Sequence, residues 1–174
     1  MNTEITVKSE KIFEGKIINL RVDTVELTNQ KYAKREIVEH KSAAAILAIN
    51  ENNEMLLVKQ YRKAIEDFLY EIPAGVLNIA EEPVDGAIRE LEEETGYVAG
   101  KIDLVFEFYT SPGFSNEKVF LFKAEDLVFT STKFDEDESI ETIAVSKDEA
   151  RKMLESGKIT DSKTLISILY WLNY

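Results

Sequence analysis

Three carboxylates lie close together in a glutamate-rich stretch near the middle of the chain. Glu90, Glu93 and Glu94 are spaced by about one helical turn. Because a helix turns about 100° per residue, their side chains would share one arc of its surface. The adjoining arc carries the residues that would face a core: Val84, Ala87, Ile88, Leu91 and Thr95. Pro83 suits a first helical turn and Gly96 suits the position just past the last one. The spacing predicts an amphipathic helix that presents three carboxylates side by side.

Such a cluster of like charges needs a positive partner. Repulsion costs about 0.2–0.5 kcal/mol per pair on an exposed helix, and burial increases this cost. Arg89 lies in the same stretch, but it can neutralise at most one carboxylate. A divalent cation is the better candidate, and ligands that are all oxygen favour Mg²⁺ or Mn²⁺. The chain has no cysteine and one histidine, His40, which excludes thiolate and multi-histidine zinc sites.

Length and charge limit the partners that the chain can have. Its 174 residues suit one domain with a core and a small appendage. A net charge of −12 without a basic stripe argues against nucleic acid, whereas metal-bridged phosphates remain compatible with it. No segment approaches the ~20 apolar residues of a membrane span. The absence of a signal-peptide pattern and of cysteine makes the cytoplasm the expected location.

Alternation of apolar and polar residues predicts strands on both sides of the helix. The predicted strands are 11–20, 21–27, 35–40, 43–49, 55–60, 103–109, 119–124 and 142–145. Strands 43–49 and 55–60 are expected to pair as a hairpin around 50–53. Ser146 and Glu149 form a capping box that opens one helix, and Asp161 can cap a last helix. The pattern indicates an α+β fold in which helices pack on a mixed sheet.

Residues 75–97 resemble the signature of the Nudix hydrolases, G-x5-E-x7-R-E-U-x-E-E-x-G-U, in which U is aliphatic. The positions that match in identity and spacing are Gly75, Glu81, Arg89, Glu90, Leu91, Glu93, Glu94 and Gly96. Tyr97 departs from the pattern at a packing position. A solvated acidic helix face is the alternative interpretation, and a match at so many positions disfavours it. The resemblance implies a Nudix α/β/α sandwich with a mixed β-sheet for residues 41–174. A small N-terminal antiparallel β-region at residues 1–40 would precede it.

The resemblance also implies how the site would work. The family cleaves a pyrophosphate with water, using two or three Mg²⁺ ions per site, which Mn²⁺ can replace. Glu90 and Glu94 would be the principal metal ligands and Glu93 would assist. The backbone carbonyl of Ala74 would be a further ligand. Arg89 would orient the glutamates, so that Arg89 and Glu93 are expected to contribute to catalysis.

Other segments narrow the expected subfamily. Residues 60–62 followed by 71–75 resemble the run before the signature in ADP-ribose pyrophosphatases, and residues 35–40 resemble their N-terminal strand pair. Pro112 lies sixteen residues after Gly96, a spacing associated with that subfamily. The implied reaction is hydrolysis of ADP-ribose to AMP and ribose 5-phosphate. The alternatives are another nucleoside diphosphate sugar, such as ADP-glucose or GDP-mannose, and a non-catalytic Nudix sensor of nucleotides.

The general base is expected late in the chain, because the ADP-ribose enzymes carry this glutamate on a loop beyond the signature. Residues 134–139 resemble that loop. Glu136 is therefore predicted to be the base and Glu138 an additional metal ligand. An exposed acidic turn is the alternative interpretation of this segment. Glu117, five residues after Pro112, is a competing candidate for the base.

Contacts with the substrate are predicted less directly. Arg35 and Arg62 are expected to bind phosphate or ribose, Glu71 and Glu39 to bind hydroxyls, and Phe13 is one candidate for stacking on adenine. His40 is expected to be a structural residue at a strand end. In the family, the N-terminal strands pack across a two-fold interface, which implies a homodimer.

Overall fold

The computed structural model describes residues 3–130 and 141–174, whose chain divides into two compact units. Met1–Ser42 and Phe108–Lys118 belong to the first unit, and Ala43–Glu107 and Val119–Tyr174 to the second. The dimerisation and substrate contacts expected of residues 1–40 stay predictions.

The first unit contains an antiparallel sheet of three strands in chain order. These strands are β1 (Ile5–Glu14), β2 (Ile18–Glu26) and β3 (Tyr32–His40). The segment Phe108–Lys118 joins β3, since the Val38 amide donates to the Phe114 carbonyl at 2.8 Å. The predicted single strand over 11–20 is wrong. Gly15 breaks it, its amide donating to the Ile18 carbonyl at 3.0 Å, because the apolar alternation runs across a tight turn.

Apart from the two strand ends that fall in 108–118, the described residues of the second unit form two sheets. The first has the order β7-β4-β9-β8, and its strands are β4 (Ala43–Ala48), β7 (Ala74–Val76), β8 (Tyr97–Tyr109) and β9 (Lys118–Phe129). The second has the order β10-β5-β6, with β5 (Met55–Arg62), β6 (Asp67–Glu71) and β10 (Glu141–Val145). β4 runs parallel to β9 and antiparallel to β7, so that this sheet is mixed, as predicted.

The predicted hairpin of strands 43–49 and 55–60 is also wrong. The turn itself forms, since the Asn53 amide donates to the Asn50 carbonyl at 3.0 Å. Next to this turn, Ile49 and Met55 form an isolated antiparallel bridge. Beyond the bridge, β4 and β5 belong to different sheets. β4 is buried at five of its six positions and β5 at its first four, so that each strand pairs with other strands in the core.

The described residues of the second unit also form three helices: α1 (Pro83–Thr95), α2 (Lys147–Glu155) and α3 (Ser162–Asn173). The predicted caps are confirmed. Ser146 and Glu149 form the capping box of α2, and the Asp161 side chain accepts the Thr164 amide at the start of α3. No helix within the described ranges is both long and apolar enough to cross a membrane.

Candidate active site

Helix α1 is fixed by its caps and by its apolar stripe. Pro83 lies in the first turn, and Gly96 ends the helix in the left-handed conformation with φ 75°. Ala87 and Leu91 are fully buried against core residues that include Ala44 and Ile46. Burying one leucine side chain contributes about 1.5–3 kcal/mol. This packing fixes the direction in which the carboxylates of α1 point.

Strand β7 lies at the edge of its sheet and directs the backbone of Ala74 outward. The Ile46 amide of β4 donates to the Pro73 carbonyl at 2.8 Å. In an antiparallel pair, successive residues alternate between facing the partner strand and facing away. The amide and carbonyl of Ala74 therefore both point away from β4. The amide donates to Glu94 Oε2 at 3.0 Å, so that the carbonyl faces the same edge as this glutamate.

Gly75 allows α1 to approach β7 closely. A Cβ atom at this position would lie 2.0 Å from the carboxyl carbon of Glu90, so that any side chain here would displace this carboxylate. Burial raises the pKa of Glu90, an effect that Arg89 opposes and the nearby Glu93 and Glu81 reinforce. Glu94 is also buried, with 8% of its surface exposed. Two carboxylates of α1 are thus held in a partly desolvated position beside the Ala74–Gly75 backbone.

Arg89 joins three glutamates. Its guanidinium donates to both oxygens of Glu81, at 2.9 and 3.0 Å, to Glu90 at 2.7 Å and to Glu93 at 2.8 Å. The hydrogen bonds from Arg89 and from the Asn78 amide lower the pKa of Glu81 to about 2. One positive charge is thus shared among three carboxylates and fixes their orientation. The contribution to catalysis expected of Arg89 stays a prediction.

The donor set fits a hard divalent cation. Glu90, Glu94 and the Ala74 carbonyl supply only oxygen atoms, and the missing Cβ of Gly75 leaves the carboxylate against the backbone. Across the described parts of the chain, no group of three or more histidine, cysteine or carboxylate side chains is already arranged to hold a metal ion. Arg89 donates to Glu90 and Glu93, and the Ala74 amide donates to Glu94. The metal ligands and the number of ions therefore stay predictions.

Gly75→Ala is expected to weaken metal binding without unfolding the protein. The three atoms nearest to the new Cβ all belong to the far end of the flexible Glu90 side chain, which can swing aside. We expect the Kd for Mn²⁺, measured by electron paramagnetic resonance, to rise at least about tenfold, the scale on which disturbed metal ligands lose affinity. Gly113→Ala is the matched control, because a Cβ there meets nothing within 4 Å. Equal Mn²⁺ affinity in both variants would contradict a metal site beside Gly75.

Glu71 is buried and forms an ion pair with Arg62, whose side chain is 43% exposed. Arg62 donates to both oxygens of Glu71 at 2.6 and 2.9 Å, and Lys163 makes a further short contact with the same carboxylate. Burial would raise the pKa of Glu71, but the bond from Arg62 and the charge of Lys163 outweigh it and hold this pKa below its ordinary value. Glu71 is 1% exposed. Its predicted binding of a substrate hydroxyl stays a prediction, as does the substrate contact of Arg62.

Sequence reasoning missed Lys163 as part of this network. A signal was present, because lysine in a first helical turn opposes the helix dipole and needs acidic partners. Its partners are Asp161, at 2.9 Å, and Glu71, which stands far away in the sequence.

The other predicted substrate residues lie in the first unit. Arg35 pairs with Glu4 and is partly exposed, Glu39 pairs with Arg21, and Phe13 is 54% exposed. Their substrate contacts stay predictions.

The candidates for the general base are placed differently. Glu117 accepts a hydrogen bond from Thr110 at 2.6 Å and lies 3.6 Å from His40 Nδ1 in the first unit. The His40 amide donates to Asn116 at 2.8 Å at the end of β3, which agrees with its expected structural role. Glu136 and Glu138 lie outside the described residues.

Comparison with known proteins identifies the class. Residues 39–165 match the NUDIX domain, so that the chain belongs to the Nudix family. Residues 4–38 match the nucleoside diphosphate sugar hydrolase N-terminal domain. The predicted family and α+β fold class are confirmed, and the chain is a Nudix hydrolase. Nudix hydrolases generally need divalent metal ions.

Two relatives match along nearly the whole chain. An ADP-ribose pyrophosphatase of Bacillus subtilis (strain 168) is 48% identical over 96% of this chain and 91% of its own. A methanol dehydrogenase activator of Bacillus methanolicus is 44% identical over the same shares. A solved structure described as an ADP compounds hydrolase has a TM-score of 0.87 and 19% identity. It covers 98% of this chain and 94% of its own, and it shows the fold.

Proposed function

We propose that this Nudix hydrolase cleaves the pyrophosphate of ADP-ribose to AMP and ribose 5-phosphate in a Mg²⁺-dependent reaction. The observation that carries the proposal is the edge of β7 facing α1, where Ala74, Glu90 and Glu94 bring oxygen ligands together beside Gly75. The identity of 48% with an ADP-ribose pyrophosphatase supports the choice of substrate. The expected location is the cytoplasm.

The residues of the site have separate tasks in this proposal. Glu90, Glu94 and the Ala74 carbonyl hold Mg²⁺, with Glu93 assisting and Glu138 as a further ligand. Bound Mg²⁺ supplies charge neutralisation at the pyrophosphate and a lowered pKa for a bound water. Arg89 keeps the glutamates oriented through its bonds to Glu81, Glu90 and Glu93. The sequence contains four carboxylates here for one guanidinium, which leaves negative charge for a cation to offset.

Glu136 acts as the general base in the proposal. It takes a proton from the attacking water as the oxygen approaches phosphorus. The leaving phosphate is AMP or ribose 5-phosphate, depending on which phosphorus is attacked. Arg35 and Arg62 bind phosphate or ribose, Glu39 and Glu71 bind hydroxyls, and Phe13 stacks on adenine.

A panel of substrates tests the proposal directly. The purified protein is incubated in Mg²⁺ with ADP-ribose, ADP-glucose, GDP-mannose and 8-oxo-dGTP, and kcat/KM is measured for each. We expect the highest kcat/KM with ADP-ribose, with AMP and ribose 5-phosphate as the only products. If GDP-mannose is hydrolysed much faster than ADP-ribose, the substrate is another nucleoside diphosphate sugar, and the hydrolase class stands.

A second candidate function is regulation of a partner protein through nucleotide binding. The relative from Bacillus methanolicus favours it, because its name describes an activator of another enzyme. The intact set of signature glutamates argues for catalysis, since a sensor does not need them. Tight binding of ADP-ribose without turnover in Mg²⁺ or Mn²⁺ would favour the sensor over the hydrolase.

We also propose that the protein forms a homodimer through the N-terminal sheet. The strands β1 to β3 expose large apolar side chains that a second copy could cover: Ile5, Val7, Ile12, Phe13 and Tyr32. We expect light scattering to give twice the 19.9 kDa mass of one chain. Ile12→Lys, at a position that is 57% exposed, should reduce this mass to that of one chain. A wild-type protein with the mass of one chain would contradict the dimer.

A further inference from the structure

A cluster of charged and hydroxyl side chains ties the start of α3 to the end of β6. We call it the α3 anchor, and it consists of Arg62, Glu71, Asp161, Lys163 and Thr164. Lys163 contacts both Glu71 and Asp161. The Thr164 hydroxyl donates to Asp161 at 2.6 Å and accepts the Ile72 amide at 2.8 Å. Two carboxylates, Glu71 and Asp161, and two cations, Arg62 and Lys163, therefore balance each other's charge where β5, β6 and α3 meet.

The anchor holds the first half of the segment that leads to the proposed metal ligand. The Glu71 side chain accepts a hydrogen bond from Arg62, and the Ile72 amide donates a hydrogen bond to the Thr164 hydroxyl. Pro73 is fixed through its carbonyl to β4, and Ala74 through its amide to Glu94. Each of the four consecutive residues is thus held by a different partner. The direction of the Ala74 carbonyl depends on all four contacts, because only Ile72 and Pro73 separate Ala74 from Glu71 along the chain.

Two groups of the anchor, Glu71 and Thr164, are buried in the second unit. Glu71 is 1% exposed and Thr164 is fully buried. A buried carboxylate is costly unless it is paired and hydrogen-bonded. The pairing with Arg62 alone would satisfy the charge of Glu71, so that Lys163 adds a link between elements as well as a charge. The outcome is a rigid connection from α3 to the backbone beside Glu90 and Glu94.

We propose that Lys163 and Thr164 are positioning residues, which hold residues 71–74 so that the Ala74 carbonyl faces Glu94 as a metal ligand. This inference rests on the proposed function, since the metal ligands belong to that proposal. Neither residue touches the metal or the substrate. They act through Glu71 and Ile72, as partners of metal ligands do when they fix a ligand in its binding orientation.

The test measures metal affinity in the absence of substrate. Lys163→Met removes the charge and keeps the length of the side chain, and Thr164→Val removes the hydroxyl and keeps the shape. Ser146→Ala is the matched control, because the Ser146 hydroxyl also accepts a backbone amide, from Glu149, at the start of α2. Free Mn²⁺ is titrated against the whole chain by electron paramagnetic resonance, and the Tm of each metal-free variant is recorded.

We expect the Mn²⁺ Kd to rise about 10- to 100-fold in Lys163→Met and Thr164→Val, the range observed when partners of metal ligands are removed. Lys163→Arg keeps a charge that can reach Glu71 and should restore most of the affinity. Ser146→Ala should lower the Tm and leave the Kd within about twofold of wild type. The two test variants remove different contacts. The Mn²⁺ Kd of either variant is therefore sufficient to test the inference, provided that this variant folds.

Two results would overturn the inference, and they differ in whether the proposed function survives. If a folded test variant has the Mn²⁺ Kd of wild type and only a lower Tm, the anchor is merely structural and the proposed function stands. If wild type itself binds no Mn²⁺ and hydrolyses no ADP-ribose, the proposed function fails and the inference fails with it.

Discussion

Glu94→Gln is expected to lower kcat for ADP-ribose at least ~10²-fold, the scale lost when a strongly stabilising electrostatic group is removed. The fold should survive. The amide oxygen of glutamine can still accept the Ala74 N–H, which now donates to Glu94 at 3.0 Å. The substitution also relieves repulsion from the other carboxylates of α1. The measurement is kcat at saturating Mg²⁺, with the Tm as a check on folding.

The control for this variant is Glu92→Gln, which removes the same charge from the same helix. Glu92 lies on a different arc of α1 from the three glutamates of the proposed site. Its loss should change kcat by less than about threefold, since its side chain points to another arc of the helix than the proposed metal ligands. A nearly normal kcat in Glu94→Gln at saturating Mg²⁺ would show that this face of α1 does not hold the catalytic metal.

Glu136→Gln is expected to lower kcat by about 10²- to 10⁴-fold, the usual contribution of general acid–base catalysis. KM for ADP-ribose and the Mn²⁺ Kd should change little, because a general base acts mainly in the transition state. Single-turnover kinetics under saturating Mg²⁺ measure the effect on the chemical step, separately from product release.

Glu138→Gln and Glu117→Gln serve as the comparison for this prediction. If Glu138 is a metal ligand, its loss should raise the Mn²⁺ Kd more than it lowers kcat at saturating metal. Glu117→Gln should retain most of the activity, because Glu117 is engaged with Thr110 in the first unit. Loss of turnover in Glu117→Gln alone would move the base to the turn that follows Pro112.

The helices were predictable from sequence because their signals are local. Pro83, Gly96, the Ser146 capping box and Asp161 specify helix ends within a few residues of chain, and all act as expected. Strand pairing is not local. β4 and β5 look like a hairpin because a good turn joins them, yet they belong to two sheets. Which strands pair depends on packing throughout the core, so that it cannot be read from a short segment of sequence.

The same distinction separates the predicted from the unpredicted parts of the site. The carboxylates of α1 follow from helical spacing, and Arg89 stands among them in the sequence. The contact between Lys163 and Glu71 joins residues that are 92 positions apart. No sequence motif around Lys163 or Glu71 predicts that these two residues are in contact. Only the folded chain shows that the start of α3 meets the end of β6, and that the Ala74 carbonyl points away from β4.

The parallel pairing of β4 with β9 has a consequence for how the protein folds. The strands of the N-terminal sheet pair with their sequence neighbours, whereas β4 must find a partner far along the chain, Ala43 opposite Val119. Closing so large a loop costs entropy before any contact compensates for it, and non-local pairing slows folding. β7 has β4 as its neighbour in the sheet, so that Ala74 and Glu94 meet in a stable arrangement only when β4 is in place. During refolding, the capacity to bind Mn²⁺ should therefore return with the slowest phase. A nascent chain that still lacks β9 carries the complete glutamate-rich helix before the backbone that faces it has been fixed.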